Sequence, residues 1–150
     1  AVESAARRYG FREIATPSLE RTELYIEKSG EEVVDELYSF TDQGGRDVAL
    51  VPELTPTVAR MVSERGQALS KPIKWYSTRP FWRYEQVQQG RFREFYQTNI
   101  DIFGSRDPVA DAEILAVAAE FLEDLGVPEE GYEFRISHRD ILEELARHHG

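Results

Sequence analysis

The sequence contains no cysteine, one methionine and only three histidines among its 150 residues. The lack of cysteine excludes disulfide bonds and thiolate metal sites, and it fits a reducing compartment such as the cytoplasm. The histidines, at positions 138, 148 and 149, are not spaced as a metal-binding set. No apolar run approaches the ~20 residues of a membrane span, and no charged and then apolar leader opens the chain. We therefore expect a cytoplasmic protein without a membrane anchor, and the sequence identifies no certain metal site.

Basic residues are also scarce, since 18 lysines and arginines face 28 aspartates and glutamates and give a net charge of −10. This balance argues against a surface that coats nucleic acid, and it is compatible with a salt-adapted protein. Residues 71–93 are the exception, because two lysines and four arginines stand there against Glu85 alone, a local charge of +5. Aromatic residues alternate with these arginines. The segment therefore predicts a site for an anionic and planar ligand, such as a nucleotide.

The length and the 41% hydrophobic content are those of one folded domain, residues 1–150. Apolar spacing, glycines and prolines predict helices over 1–9, 18–26, 56–65, 108–125 and 140–149, with Thr55 as N-cap of the third and Asp107-Pro108 opening the fourth. Strands are predicted over 11–16, 37–40, 48–51, 73–84, 91–103 and 132–137. Strands joined by tight turns, with helices between them, indicate an α+β fold in which helices flank an antiparallel sheet.

The two long strands over 73–84 and 91–103 form a predicted hairpin with one ligand-binding face. Because side chains alternate along a strand, one face collects the following residues: Arg83, Glu85, Arg91, Arg93, Phe95, Gln97 and Asp101. This face offers guanidinium groups for phosphate, an aromatic ring for stacking, and an amide and a carboxylate at its far end. The alternative is ordinary cross-strand pairing of arginine and glutamate on a solvated sheet face.

A second candidate is the carboxylate of Glu53, which stands between Pro52 and the predicted start of a helix. A carboxylate held rigidly in such a loop could bind an ammonium group. The alternative is structural, because a glutamate near a helix start is also favoured by the helix dipole. A P-loop, a dinucleotide-binding fingerprint and a nucleophile elbow are all missing from the sequence.

Together these segments resemble the catalytic core of class II aminoacyl-tRNA synthetases, specifically the histidyl-tRNA synthetases of the archaeal kind. Phe81-Trp82-Arg83-Tyr84-Glu85 is similar to the Phe-x-Arg-x-Glu strand of the second class II motif. The segment 11–17 resembles the first motif, which forms the dimer interface in the family. Residues 51–55 are similar to the Arg-Pro-Glu-x-Thr loop of the histidine enzymes, with Val51 in place of the arginine.

The resemblance implies a role for each matching residue. Arg83 would be catalytic and would bind ATP together with Glu85, Arg91 and Phe95, with Mg²⁺ at the outer phosphates. Histidine would be held by Glu53, Thr55, Gln97 and Asp101, where Asp101 replaces a glutamate that is usual in bacterial members. The turn with Gln86, Gln88 and Gln89 would contact the acceptor end of tRNA(His). A homodimer through the first motif is also implied.

The family's third motif and its anticodon-binding domain have no counterpart in these 150 residues. The resemblance thus implies a partial catalytic domain, with weak or absent activity as an isolated chain. Two other interpretations remain open: a non-catalytic relative, such as the regulatory subunit of ATP phosphoribosyltransferase, or a core fragment that only dimerises. The enzyme is favoured, because a sensor does not need the ATP-binding set, by the joint presence of six residues: Arg83, Glu85, Arg91, Glu53, Thr55 and Gln97.

Overall fold

A computed structural model of the chain describes residues 1–84, 86, 89–137, 143–144 and 146–148. Its helices are α1 (Val2–Arg8), α2 (Thr22–Ser29), α3 (Thr55–Arg65) and α4 (Pro108–Asp124). Its strands are β1 (Arg12–Glu13), β2 (Leu19–Arg21), β3 (Ser39–Thr41), β4 (Asp47–Leu50), β5 (Ile73–Trp82) and β6 (Glu94–Phe103). Short 3₁₀ helices cover Glu31–Glu36, Gly66–Ala68 and Glu129–Gly131. Among the described residues, no helix is long and apolar enough to cross a bilayer.

Within the described residues the strands form two sheets of three strands, ordered β1-β5-β6 and β2-β4-β3. The α+β prediction is confirmed, and both predicted hairpins, β3–β4 and β5–β6, pair antiparallel. The β1–β5 pair is parallel, which departs from the predicted antiparallel pattern. The whole second sheet and α3 lie between these two strands in sequence, and this long connection lets the chain return in the same direction.

The β5–β6 hairpin separates two hydrophobic clusters. Even-numbered residues such as Tyr76, Ile100 and Ile102 pack against α1 and α4. Odd-numbered residues such as Phe81 and Phe95 pack against the loop and helix that follow β4; this second cluster includes Val51, Leu54 and Val58. Phe81 pairs directly with Phe95 in the antiparallel register. The alternation predicted from the sequence is therefore confirmed within β5 and β6, where the odd-numbered side chains face the loop after β4. Arg93, which was predicted on this odd face, instead has its guanidinium 4.4 Å from the ring centre of the even-numbered Tyr84.

The start of α4 and the β3–β4 turn follow their sequence signals. The Asp107 carboxylate accepts a hydrogen bond from the Val109 backbone N–H at 3.0 Å, and Pro108 is the first helical residue. Asp42 accepts from the backbone N–H groups of Gly44 and Arg46 at 2.8 and 2.9 Å. The backbone N–H of Arg46, and then its guanidinium, lower the pKa of Asp42. The N-terminus of α4 and the β3–β4 turn are therefore held by the polar contacts that their sequences predict.

Several sequence predictions are wrong, in part or completely. The strand predicted over 11–16 covers only Arg12–Glu13. The helix expected from residue 18 begins at Thr22, because residues 19–21 pair with β4 instead. Thr55 is the first helical residue of α3, and Leu54 is its N-cap without a side-chain hydrogen bond. The long strands end at Trp82 and begin at Glu94, inside the predicted limits of 84 and 91. Residues 132–137 form no strand.

The failure at 132–137 has a physical reason. The segment alternates as a strand does, but a strand exists only where its backbone pairs with a neighbour, and these residues have none among those described. Ile136 is consequently 72% exposed. The helix predicted over 140–149 is helical at 143–144 and 146–148, and its other residues lie outside the described part.

Candidate functional site

The end of β5 is fixed by backbone hydrogen bonds to three separate segments. Trp82 N–H donates to the Val51 carbonyl at 3.1 Å, and Tyr84 N–H donates to the Glu36 carbonyl at 2.8 Å. Between them, Arg83 N–H donates to the Arg93 carbonyl at 2.9 Å, so the hairpin ladder continues past the assigned strands. The side chain of Arg83 therefore projects from a backbone that is held by the loop after β4, by the 3₁₀ helix over 31–36, and by the opposite strand.

Arg83 joins the loop after β4 to the aromatic part of the hairpin. Its Nε donates to the Pro52 carbonyl at 3.1 Å, and its guanidinium carbon lies 5.3 Å from the centre of the Phe95 ring. Phe95 is itself stacked on Phe81, with ring centres 6.2 Å apart and planes inclined by 29°. Phe81 is fully buried. The Phe95 ring consequently rests on a rigid base, and the cationic group of Arg83 is placed over it.

Two cavities of opposite character meet at Arg83. The first, of about 310 Å³, is acidic; its polar lining consists of Ser29, Glu32, Glu36, Glu53 and Arg83. The second, of about 340 Å³, is basic and aromatic, lined by Arg83, Gly90, Arg91, Phe92 and Phe95. The acidic cavity suits an ammonium group, and the basic one suits phosphates and a planar ring. Arg83 lines both cavities, so it stands where a cationic ligand and an anionic ligand would meet.

Glu53 is placed in the acidic cavity by the loop between β4 and α3. Pro52 precedes it and is buried, and the side chain of Glu53 is 28% exposed. Its Oε1 accepts a hydrogen bond from Lys28 Nζ at 2.5 Å. Lys28 lies in the last turn of α2 and is not among the residues predicted for the site. The only sequence signal was a lysine near a helix end, which the helix dipole already explains.

The other predicted amino-acid contacts lie apart from this cavity. Thr55 is exposed and lines a groove between α2 and α3 together with Lys28 and Pro56. Gln97 and Asp101 follow Phe95 on the same face of β6, opposite Arg79 and Trp75 respectively. Gln97 Nε2 donates to Asn99 Oδ1 at 2.8 Å. The fold thus brings Glu53, Arg83, Arg91 and Phe95 together, and it places Gln97 and Asp101 further along the same sheet face.

The Asp101 carboxyl is half-buried, and burial raises its pKa above the ordinary value of 3.8. Because the pKa is higher in the folded than in the unfolded protein, the ionised carboxylate destabilises the fold at every pH above the raised pKa. This destabilisation disappears as the pH falls below 3.8, where the carboxyl is protonated in both states. We therefore expect Asp101→Asn to raise Tm at pH 7, with a smaller difference near pH 4. Thermal unfolding followed by circular dichroism measures this difference. Asp35→Asn, at an exposed position, is the control; an unchanged Tm for Asp101→Asn at pH 7 would contradict the prediction.

Arg79 belongs to the basic segment by sequence, but its guanidinium is used by the fold. Arg79 is 8% exposed and donates to the carbonyls of Thr16 and Pro17 and to the Ser18 hydroxyl. Burial lowers the pKa of Arg79, and interactions with Tyr25 and Glu20 oppose that effect. Arg79 therefore holds the segment after β1 against the sheet and does not contribute a free positive charge to either cavity.

The turn of the hairpin is described only in part. Gln86 and Gln89 are exposed, whereas Glu85 and Gln88 lie outside the described residues. Gly90 has φ of +82°, a left-handed conformation that glycine adopts without a steric penalty. The predicted contacts of Glu85 with adenine and of the glutamines with tRNA therefore remain predictions.

Comparison with known proteins places this geometry in a family. The family model described as histidyl-tRNA synthetase matches residues 1–150. The chain is 74% identical over 147 residues to the histidine–tRNA ligase of Halorubrum lacusprofundi, a match that covers 98% of this chain and 33% of that protein. This chain therefore spans about a third of the length of the curated relatives that it matches.

Solved structures agree with the sequence comparison. The apo histidyl-tRNA synthetase of S. aureus has a TM-score of 0.69 at 30% identity, covering 84% of this chain and 29% of that one. A structure described as an ATP phosphoribosyltransferase regulatory subunit/histidyl-tRNA synthetase from Bacillus halodurans has a TM-score of 0.71 at 26% identity, covering 85% and 33%. The predicted class II core is thus confirmed, and the chain belongs to the histidyl-tRNA synthetase family.

Proposed function

We propose that this chain is the part of a histidine–tRNA ligase that binds ATP and the ammonium end of histidine. The observation that carries the proposal is the position of Arg83 between an acidic and a basic, aromatic cavity. Activation of an amino acid requires a carboxylate to approach the α-phosphate of ATP, so two anions must be brought together. A guanidinium between the two subsites reduces their repulsion and stabilises the charge that develops in the transition state.

In the proposed reaction, a carboxylate oxygen of histidine attacks the α-phosphorus of ATP. A new oxygen–phosphorus bond forms, the bond from the α-phosphorus to the bridging oxygen breaks, and pyrophosphate leaves with that electron pair. Arg83 contacts the α-phosphate and the reacting carboxylate, Arg91 holds the outer phosphates, and Phe95 stacks on adenine. The proximity of Arg83, Arg91 and Phe95 around one cavity supports these assignments.

We assign the α-ammonium of histidine to Glu53, Thr55 and Gln97, and the imidazole to Asp101. The acidic cavity beside Arg83 supports the role of Glu53. Glu85 is assigned to the adenine amino group, and Gln86, Gln88 and Gln89 to the acceptor end of tRNA(His), on the family resemblance alone. These assignments require Thr55, Gln97 and Asp101 to reach the ligand from outside the two cavities.

Mg²⁺ is the metal that the family implies. The described residues contain no cluster of three or more potential metal ligands. Mg²⁺ is commonly bound through one or two carboxylates together with substrate phosphates, so we propose that it arrives with ATP. When bound, it neutralises charge on the outer phosphates; the roles given above to Arg83 and Arg91 do not depend on it.

We also propose that the protein works in the cytoplasm as a homodimer through residues 11–17. The position of β1 at the edge of its sheet supports this, because an edge strand offers unpaired backbone groups to a second chain. Light scattering of the purified chain measures the oligomeric state. A monomer that persists at high protein concentration would contradict the proposed interface.

The proposed activity is tested by histidine-dependent exchange between ATP and pyrophosphate. We suggest assaying the chain alone and a chimera in which it replaces the matching third of the Halorubrum lacusprofundi ligase, to which it is 74% identical. Exchange by the chimera that requires histidine, and is not supported by other amino acids, is the expected result. The isolated chain is expected to show weak exchange or none.

A chimera that folds and binds histidine without exchange would favour the second interpretation, a regulatory subunit. The specific observation behind that alternative is the similarity to the Bacillus halodurans structure, whose description names both functions.

A further inference from the structure

The carboxylate of Glu53 has a cationic partner within the fold. Lys28 Nζ lies 2.5 Å from Glu53 Oε1, and the two side chains are 44% and 28% exposed. Lys28 is in the last turn of α2, whereas Glu53 is in the loop that precedes α3. Because these helices contact each other, the ion pair connects two neighbouring elements at the border of the acidic cavity.

Lys28 carries the same charged group as the ligand that is proposed for Glu53. The Nζ group of lysine is a primary ammonium, the same functional group as the α-ammonium of a free amino acid. The proposed function assigns that α-ammonium to Glu53. A carboxylate that already accepts a hydrogen bond from one ammonium attracts a second one less strongly, because the two positive charges repel each other at short distance.

Lys28 approaches Glu53 from outside the acidic cavity. Lys28 lines the groove between α2 and α3, together with Thr55 and Pro56, whereas the adjacent Ser29 lines the cavity. The lysine side chain can therefore turn into the groove without moving the cavity wall. Partly exposed ion pairs of this kind contribute little to stability, so a ligand can displace one at a small cost.

We propose that Lys28 competes with the α-ammonium of histidine for Glu53 and so limits the affinity of the amino-acid subsite. The proposal rests on the proposed function, which gives Glu53 its ligand. Lys28 then acts as an affinity-determining residue that lowers the occupancy of the subsite by any ligand with a primary ammonium, and it leaves ligands without that group unaffected.

Calorimetric titration of the chimera with histidine tests the proposal, and imidazole-4-propionate, which lacks the ammonium, is the control ligand. Lys28→Met is expected to lower the Kd for histidine by about two- to fivefold, the range set by a partly exposed ion pair. The Kd for imidazole-4-propionate should not change. Lys28→Gln should raise the affinity for histidine to the same extent, and this second neutral variant excludes an effect of the methionine side chain itself. Lys28→Arg keeps the positive charge and should keep the wild-type affinity.

A Glu53→Gln background completes the design, because removal of the shared carboxylate should abolish the gain from Lys28→Met. Equal histidine affinity in wild type and Lys28→Met, or weaker binding by the variant, would overturn the competition while leaving the proposed function in place. Failure of the unmutated chimera and of all its variants to bind histidine would overturn the assignment of Glu53, and the inference with it.

Discussion

Replacement of Arg83 by alanine is expected to reduce histidine-dependent ATP–pyrophosphate exchange by the chimera by about 10²–10³-fold. The guanidinium lies between the acidic cavity and the basic, aromatic cavity, where the carboxylate and the α-phosphate would meet. Alanine removes both the positive charge and the donors, so the repulsion between the two anions is no longer compensated. Arg83→Lys keeps the charge but loses the planar, bidentate geometry, and an intermediate loss is expected.

The fold should survive this substitution. Loss of the hydrogen bond from Arg83 Nε to the Pro52 carbonyl costs about 1 kcal/mol. Arg135→Ala is a matched control, because Arg135 is 88% exposed and lines neither cavity. A circular dichroism melt of each variant separates lost folding from lost chemistry. Exchange by Arg83→Ala within tenfold of wild type would remove Arg83 from the proposed catalytic role.

Phe81→Ala is expected to lower the free energy of unfolding by about 3–5 kcal/mol, the largest effect on stability that we predict. The side chain of Phe81 is fully buried and packs with Val51, Leu54 and Val58, so alanine leaves a cavity under the site. It also removes the ring on which Phe95 is stacked. Urea denaturation of the purified chain measures the change.

Phe92→Ala provides the comparison for this variant, since the same side chain is removed from a position that is 72% exposed. Its unfolding free energy should stay within about 0.5 kcal/mol of wild type. Two variants with equal stability would mean that the cluster around Phe81 does not form the core on this side of the sheet.

The faces of the β5–β6 hairpin could be predicted from the sequence because side-chain alternation is a local property of strands. The prediction placed Arg83 and Phe95 on one face. The register pairs Phe81 with Phe95, and the Arg83 guanidinium lies 5.3 Å from the centre of the Phe95 ring. The N-cap of α4 could be predicted equally well, since Asp107 and Pro108 act within one turn of the helix. Local signals of this kind do not depend on the rest of the fold.

Contacts between distant segments could not be predicted in this way. The sequence presents Arg79 as one more cation of a basic segment. In the structure its guanidinium is buried against residues 16–18, about sixty positions away. Lys28 and Glu53 are 25 residues apart, and no pattern in either segment points to the other. Residues 132–137 carry a strand pattern, but pairing requires a neighbour that local sequence does not specify.

The anchoring of the site by backbone carbonyls has a consequence for mutational tolerance. The Val51 carbonyl accepts from Trp82 N–H, and the Pro52 carbonyl accepts from Arg83 Nε, so neither acceptor depends on which side chain stands at its position. A substitution at 51 or 52 can therefore keep both hydrogen bonds as long as the path of the main chain is preserved. The family resemblance implies an arginine at this point of the loop, and Val51, which stands there in this chain, still offers its carbonyl to Trp82 N–H. A different residue at position 51 or 52 in a related protein is consequently not evidence that these two hydrogen bonds are lost.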